Sequence, residues 1–178
     1  MRRATVLLGL CVLAAGCGGA SGFHHPSAAD LVRLQRNSHE PVYYAGPSFR
    51  GLALSDAVAQ GRNYELVVYG TCSSGTGLFG DSGCAPPIEI EHFPFKASMW
   101  RLAVGCHRRA SLRGVPSVRH DGLVLVTGRQ IVKIYARSPA EDRRVATALR
   151  RADGKATPSH LPEPAPANRA LVESVCPA

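Results

Sequence analysis

Few residues in this chain could do chemistry, and each group of them meets an obstacle. Ser73, Ser74 and Ser82 lie in one glycine-rich stretch, with His92, His120 and Asp121 following it. A serine nucleophile needs a base within hydrogen-bond reach, and the α/β-hydrolase elbow adds glycines at fixed offsets. No serine here sits in G-x-S-x-G. A secreted hydrolase with a Ser/His site near the Cys72–Cys84 loop therefore stands as the alternative reading. Glu89 and Glu91 alternate on one strand face, whereas paired-carboxylate sites draw on separate elements, so they read as the solvated side of a sheet. Gly75-Thr-Gly-Leu-Phe-Gly80 matches G-x-G-x-x-G, but Gly83-Cys-Ala-Pro-Pro87 cannot open the helix that would hold a pyrophosphate. No cofactor is expected.

Metal chemistry fares no better. Cys72, Cys84, Cys106 and Cys176 are separated by 11, 21 and 69 residues, far from the close pairs that zinc sites use. His24-His25 falls in a stretch that reads as a solvated linker. No metal site is expected. Charge is the remaining candidate. Arg101, Arg108, Arg109, Arg113 and Arg119 fall within one short segment, with no acidic residue before Asp121. They read as a solvated basic face or, more sharply, as an anion-binding surface. The whole chain carries a net charge of +8, almost all of its cations being arginine, and such a balance favours acidic partners.

The N-terminus says where those partners would be met. Met1-Arg2-Arg3 is a basic leader, and Ala4 to Ala15 is an apolar run too short to span a bilayer comfortably. Leu13-Ala-Ala-Gly-Cys17 resembles a bacterial lipobox, which implies that Cys17 is acylated and becomes the first residue of the mature protein. Two acyl chains would hold it at the outer face of the cytoplasmic membrane. Export makes nucleic acid an unexpected partner and leaves an acidic envelope polymer or an acidic protein. It also makes disulfides the natural use of the four remaining cysteines, for which three pairings exist. Cys72–Cys84 is the local choice, and its loop of about 13 residues would contribute about 3 kcal/mol. Cys106–Cys176 follows by elimination.

The elements that must position these residues are legible in part. Ser27 with Asp30 resembles a capping pair for a short helix reaching Asn37. Pro41 to Ala45 reads as a strand, Phe49 to Leu54 as an extended piece and Ser55 to Gln60 as a helical turn. Tyr64 to Gly70 and Ile88 to His92 read as two strands flanking the cysteine loop. Pro116 makes Val115 to Arg119 an edge strand, because proline cannot donate to a central ladder. Leu123 to Val126 is a strand covered on both faces, and Gln130 to Tyr135 pairs beside it. Ser138, Pro139 and Glu141 open a helix expected to run to Ala152, its Arg150 and Arg151 complementing the dipole. The prolines between Thr157 and Ala167 predict an extended arm.

The lipobox, Val42-Tyr-Tyr-Ala-Gly46, Tyr69-Gly-Thr-Cys72, Gly83-Cys-Ala-Pro-Pro87 and Arg113-Gly-Val-Pro116 resemble small exported lipoproteins of actinobacteria. The resemblance spans most of residues 41 to 154 and implies no activity and no catalytic residue. The expectation is an α+β fold: a mostly antiparallel sheet of about five strands, one C-terminal helix packed on it, and two disulfides. Residues 1–16 form the signal peptide, 17–40 the lipidated cysteine and tether, 41–154 a single globular domain, and 155–178 a proline-rich arm tied back through Cys176. The expected function is that of a non-catalytic cell-envelope lipoprotein that binds or interacts.

Overall fold

The computed structural model describes residues 25–59, 64–71, 86–96, 109–119 and 121–176. Within them the fold is α+β, built on a large antiparallel sheet with three helices. Helix α1 (Ala28–Asn37) begins as its sequence dictates. The Asp30 N–H donates to Ser27 Oγ at 3.2 Å, while the Ser27 N–H donates to Asp30 Oδ2 at 2.8 Å. This closed box satisfies two amide donors that a helix start otherwise leaves open. Leu31 and Leu34, three residues apart and so on one face, are buried. The packed body thus takes in α1, which the sequence assigned to the tether.

The strands are β1 (Tyr43–Tyr44), β2 (Ser48–Phe49), β3 (Leu52–Ala59), β4 (Glu65–Tyr69) and β5 (Ile88–Pro94). After them come β6 (Arg109–Leu112), β7 (Val115–Arg119), β8 (Leu123–Thr127), β9 (Gln130–Ala136) and β10 (Arg150–Arg151). Eight of them form one sheet in the order β2-β3-β4-β5-β9-β8-β7-β6, while β1 and β10 pair separately. The expected sheet of about five strands is therefore too small. Two specific expectations also fail. Ser55 to Gln60 is not a helical turn: residues 52–59 form β3, whose alanines and aspartate are poor strand formers but whose backbone pairs along β4. Val115–Arg119 is not the edge, because β6 lies outside it. Pro116 is tolerated there because the β7–β8 register covers only residues 117–119.

Helix α2 (Pro139–Ala148) starts where expected, the Glu141 N–H donating to Ser138 Oγ at 3.2 Å. It stops four residues early. Arg150 and Arg151 leave the helix to pair with Tyr44 and Tyr43, and the Ala152 N–H donates to the Val42 carbonyl at 2.9 Å. A tertiary ladder here outweighs one further turn of helix. A third helix, α3 (Pro166–Val175), stands where a wholly extended arm was expected. Pro166 opens it at no cost, since the first helical residues have no use for their N–H.

The sheet is covered on both faces. On one, Val67, Ile88, Ile90, Leu125, Val132 and Ile134 pack beneath α1, β1 and α2. On the other, Val118, Val124, Val126 and Ile131 meet Val172 and Cys176 at the end of α3. Each such side chain, fully buried, contributes about 1.5–3 kcal/mol of transfer free energy. The arm between α2 and α3 binds two hairpin tips on its way across. Thr127 Oγ1 donates to the Pro162 carbonyl at 2.7 Å, the Ala165 N–H to the Gly128 carbonyl at 2.8 Å, and the Leu161 N–H to the Arg113 carbonyl at 2.9 Å.

Candidate functional site

His92, one of the two histidines that could serve the hydrolase alternative as base, is sealed in the core with no exposed surface. Its Nε2 accepts a hydrogen bond from the Tyr43 N–H at 3.0 Å, and its ring stacks with that of Tyr43 at 6.2 Å. Accepting at Nε2 places the proton on Nδ1, a buried atom without a hydrogen-bond partner among the described residues. Burial pushes the imidazole down to about 4, so it is neutral at physiological pH. A histidine so enclosed holds β1 in place and cannot take a proton from a substrate. Ser73, Ser74, Ser82 and His120 lie outside the described residues, as do Cys17, Cys72, Cys84, Cys106, Arg101 and Arg108.

Glu89 and Glu91 are not simply solvated. Glu91 accepts a hydrogen bond from the Tyr64 hydroxyl at 2.5 Å, and burial raises Glu89 above the usual carboxylate range, with the Glu91 charge adding to it. Across the ladder, Glu91 faces Lys133, which itself pairs with Asp121 at 2.9 Å and sits 4.5 Å over the Tyr135 ring. Among the described residues no group of three or more histidines, cysteines or carboxylates could hold a metal. His25 instead approaches the Leu54 carbonyl through Nδ1 at 3.0 Å. Cys176 is buried and disulfide-bonded, its partner lying outside the described residues.

The described arginines of the 101–119 segment are spent internally. Arg109 pairs with Glu173 of α3 at 3.3 Å. Arg119 donates to buried Asp142 at 3.0 Å and to the Pro139 carbonyl at 3.0 Å. Arg113, at φ +53°, gives four hydrogen bonds to main-chain carbonyls. Its Nη1 reaches Ala146 at 3.3 Å and Leu149 at 2.9 Å, Nη2 reaches Pro158 at 2.6 Å, and Nε reaches Ser159 at 3.2 Å. A guanidinium has five N–H donors, so four are committed here. Arg113 is a cap on α2 and a clamp on the arm.

The clamp forms one wall of a cleft that the sequence did not announce. Tyr44, Thr147 to Arg151 and Gly154 to Ser159, together with Arg113, line an open depression of about 770 Å³. The β1–β10 pairing builds it, setting Tyr44 directly across from Arg150. Its charge is unbalanced. Arg151 is neutralised by a two-point bond to Asp153, Nε to Oδ1 at 3.0 Å and Nη2 to Oδ2 at 2.6 Å, which pulls that carboxyl down to about 2. Lys155 lies 3.9 Å from the same carboxylate, at the limit of pairing, and its side chain is 75% exposed. Arg150 is exposed and pairs with no carboxylate among the described residues. Arg113 keeps its charge, since its partners are neutral carbonyls. It also cancels the negative end of α2, which would otherwise repel an anion.

The sequence carried a signal for this site in Arg150, Arg151 and Lys155, but those arginines read as helix-dipole partners. The pairing of residues 43–44 with 150–151 is what turns them into a wall, and no local pattern encodes a contact of that range. Such a cleft can hold an anion by charge and hydroxyls. No family profile, no curated protein and no solved structure matches this chain.

Proposed function

We propose that this protein is a non-catalytic cell-envelope lipoprotein whose folded domain binds an acidic ligand. The observation that carries this reading is the cleft between β1–β10 and the arm, where Arg113, Arg150 and Lys155 bring charge that no carboxylate fully offsets. Acylation of Cys17 would place the domain at the outer face of the cytoplasmic membrane, where acidic envelope polymers and acidic proteins are the partners within reach. Disulfides Cys72–Cys84 and Cys106–Cys176 belong to the same reading, as does the resemblance to exported actinobacterial lipoproteins.

The test uses the full chain in neutral detergent, with polyglutamate as a charge-only probe. Binding is expected at low ionic strength and should fall several-fold as salt rises toward about 0.5 M, because exposed charges are screened within a few ångströms there. Replacing both Arg150 and Lys155 by alanine should weaken it about tenfold, the equivalent of about 1.4 kcal/mol. No binding of any polyanion at low salt would overturn the proposal.

A further inference from the structure

We infer that the ligand of this cleft is an acidic saccharide, a chain of sugars bearing phosphate or carboxylate groups. The inference rests on the reading of the cleft as an anion site and goes beyond it to the chemistry of the ligand. Charge alone would suit any polyanion, but this wall offers two further kinds of contact.

The first is hydroxyl capacity. Thr147 Oγ1 donates to the Arg143 carbonyl at 2.8 Å and keeps its acceptor lone pairs. Thr157 Oγ1 accepts from the Arg151 N–H at 2.7 Å and keeps its own proton to give. The Ser159 hydroxyl completes the row, and among the described residues it meets the neighbouring His160 ring at 3.3 Å. Donors and acceptors alternating beside cations match a ligand that carries hydroxyls between its charges.

The second is an aromatic platform. Tyr44 is half-buried, packs against the core, and lines the cleft opposite Arg150. The negative face of such a ring attracts the polarised C–H groups of a sugar. The volume, about 770 Å³, suits a segment of a few sugars, and the open shape lets a longer chain run out at either end.

An acidic phospholipid fits less well. The apolar lining consists of Ala148, Leu149, Ala156 and Pro158 besides Tyr44, and Leu149 is already buried in the core. Among the described residues, the lining of this cleft offers no slot for an acyl chain. An acidic peptide would satisfy the cations yet leave the hydroxyl row without matching groups.

The experiment titrates the full chain in neutral detergent with four probes: polygalacturonate, a sugar-phosphate polymer, polyglutamate of matched charge, and neutral dextran. At least one acidic saccharide is expected to bind about tenfold more tightly than polyglutamate, and whichever does so identifies carboxylate or phosphate as the charged group. Tyr44→Ala should remove most of that preference, while Tyr44→Phe, which keeps the ring, should retain it. Equal affinity for polyglutamate, with no response to Tyr44→Ala in protein whose circular dichroism is unchanged, overturns the saccharide and leaves the anion site standing. Should Tyr44→Ala not fold, a Tyr44→Leu variant with wild-type preference overturns it equally. Absence of binding to all three polyanions overturns the saccharide and the anion site together. Anionic phospholipid in mixed micelles of the same detergent serves as a fifth probe, and tighter binding to it than to any saccharide would also overturn the inference.

Discussion

His92 is a case in which a residue chosen for its chemistry is used for its shape and one lone pair. Its folded-state pKa, about 4, lies below the ordinary 6.5, so in the window between them only the unfolded chain takes up a proton. The stabilisation from neutral His92 is therefore full above about 6.5 and is lost as pH falls toward 4. The shift corresponds to about 3 kcal/mol across that window. Burial raises Glu65, Glu89 and Asp142, which bind protons more readily when folded and so oppose this loss. The difference between wild type and His92→Leu isolates the histidine. Denaturation midpoints of the two should converge by about 3 kcal/mol between pH 7 and pH 4, and parallel curves would show that the imidazole is not sealed. Arg113 makes the complementary point. Arg113→Ala should cost about 2–4 kcal/mol by denaturant titration, since it removes four hydrogen bonds at once, those to the Ala146 and Leu149 carbonyls in part-buried surroundings. Arg113→Lys should recover little, because one ammonium cannot span that fork. By contrast, exposed Arg129→Ala should fall within about 0.5 kcal/mol of wild type.

Elements with a local code were legible from sequence, and elements made by distant pairing were not. Ser27 with Asp30 and Ser138 with Pro139 opened α1 and α2 where the structure has them. Leu123 to Val126, apolar throughout, is indeed buried on both faces. Alternation at Ile88 to His92 also held, and the strand itself runs on to Pro94. What failed was governed by partners far along the chain: β3 draws its strand character from β4, and β10 from β1. The arm was read by its prolines alone, and a proline at the first helical turn says nothing against the helix that follows. The cleft was invisible for the same reason as β10. Two tests belong to this scale. Ser138→Ala should lower stability by about 1 kcal/mol, the usual worth of a helix N-cap. Gly114 stands at φ +78°, and a Cβ there would lie 2.6 Å from His160 Cδ2 on the arm. Gly114→Ala should therefore destabilise by about 1–3 kcal/mol. His160→Ala should restore the part due to the clash and leave the part due to the backbone, and a strictly additive double mutant would show that the arm does not rest on this turn.

At the level of the whole molecule, the sheet, the helices on its two faces and the arm across the hairpin tips make one body, with the cleft at the joint between α2, the arm and the small β1–β10 ladder. Membrane attachment is tested by fractionation. Wild-type protein should partition with membranes and Cys17→Ser should not be processed to the acylated form; mass spectrometry placing an unmodified mature N-terminus elsewhere would end that proposal. The proposed attachment would give new meaning to one contact at the start of the body. His25 is held against the Leu54 carbonyl at 3.0 Å, and α1 follows at once as part of the core. Between Cys17 and that fixed point there are eight peptide steps, a leash of at most about 30 Å even when drawn straight. If Cys17 is acylated as proposed, a domain on so short a leash would sample only a thin layer of periplasmic or wall-facing space. A ligand of the proposed cleft would then have to lie in that layer, growing from the membrane or passing close to it.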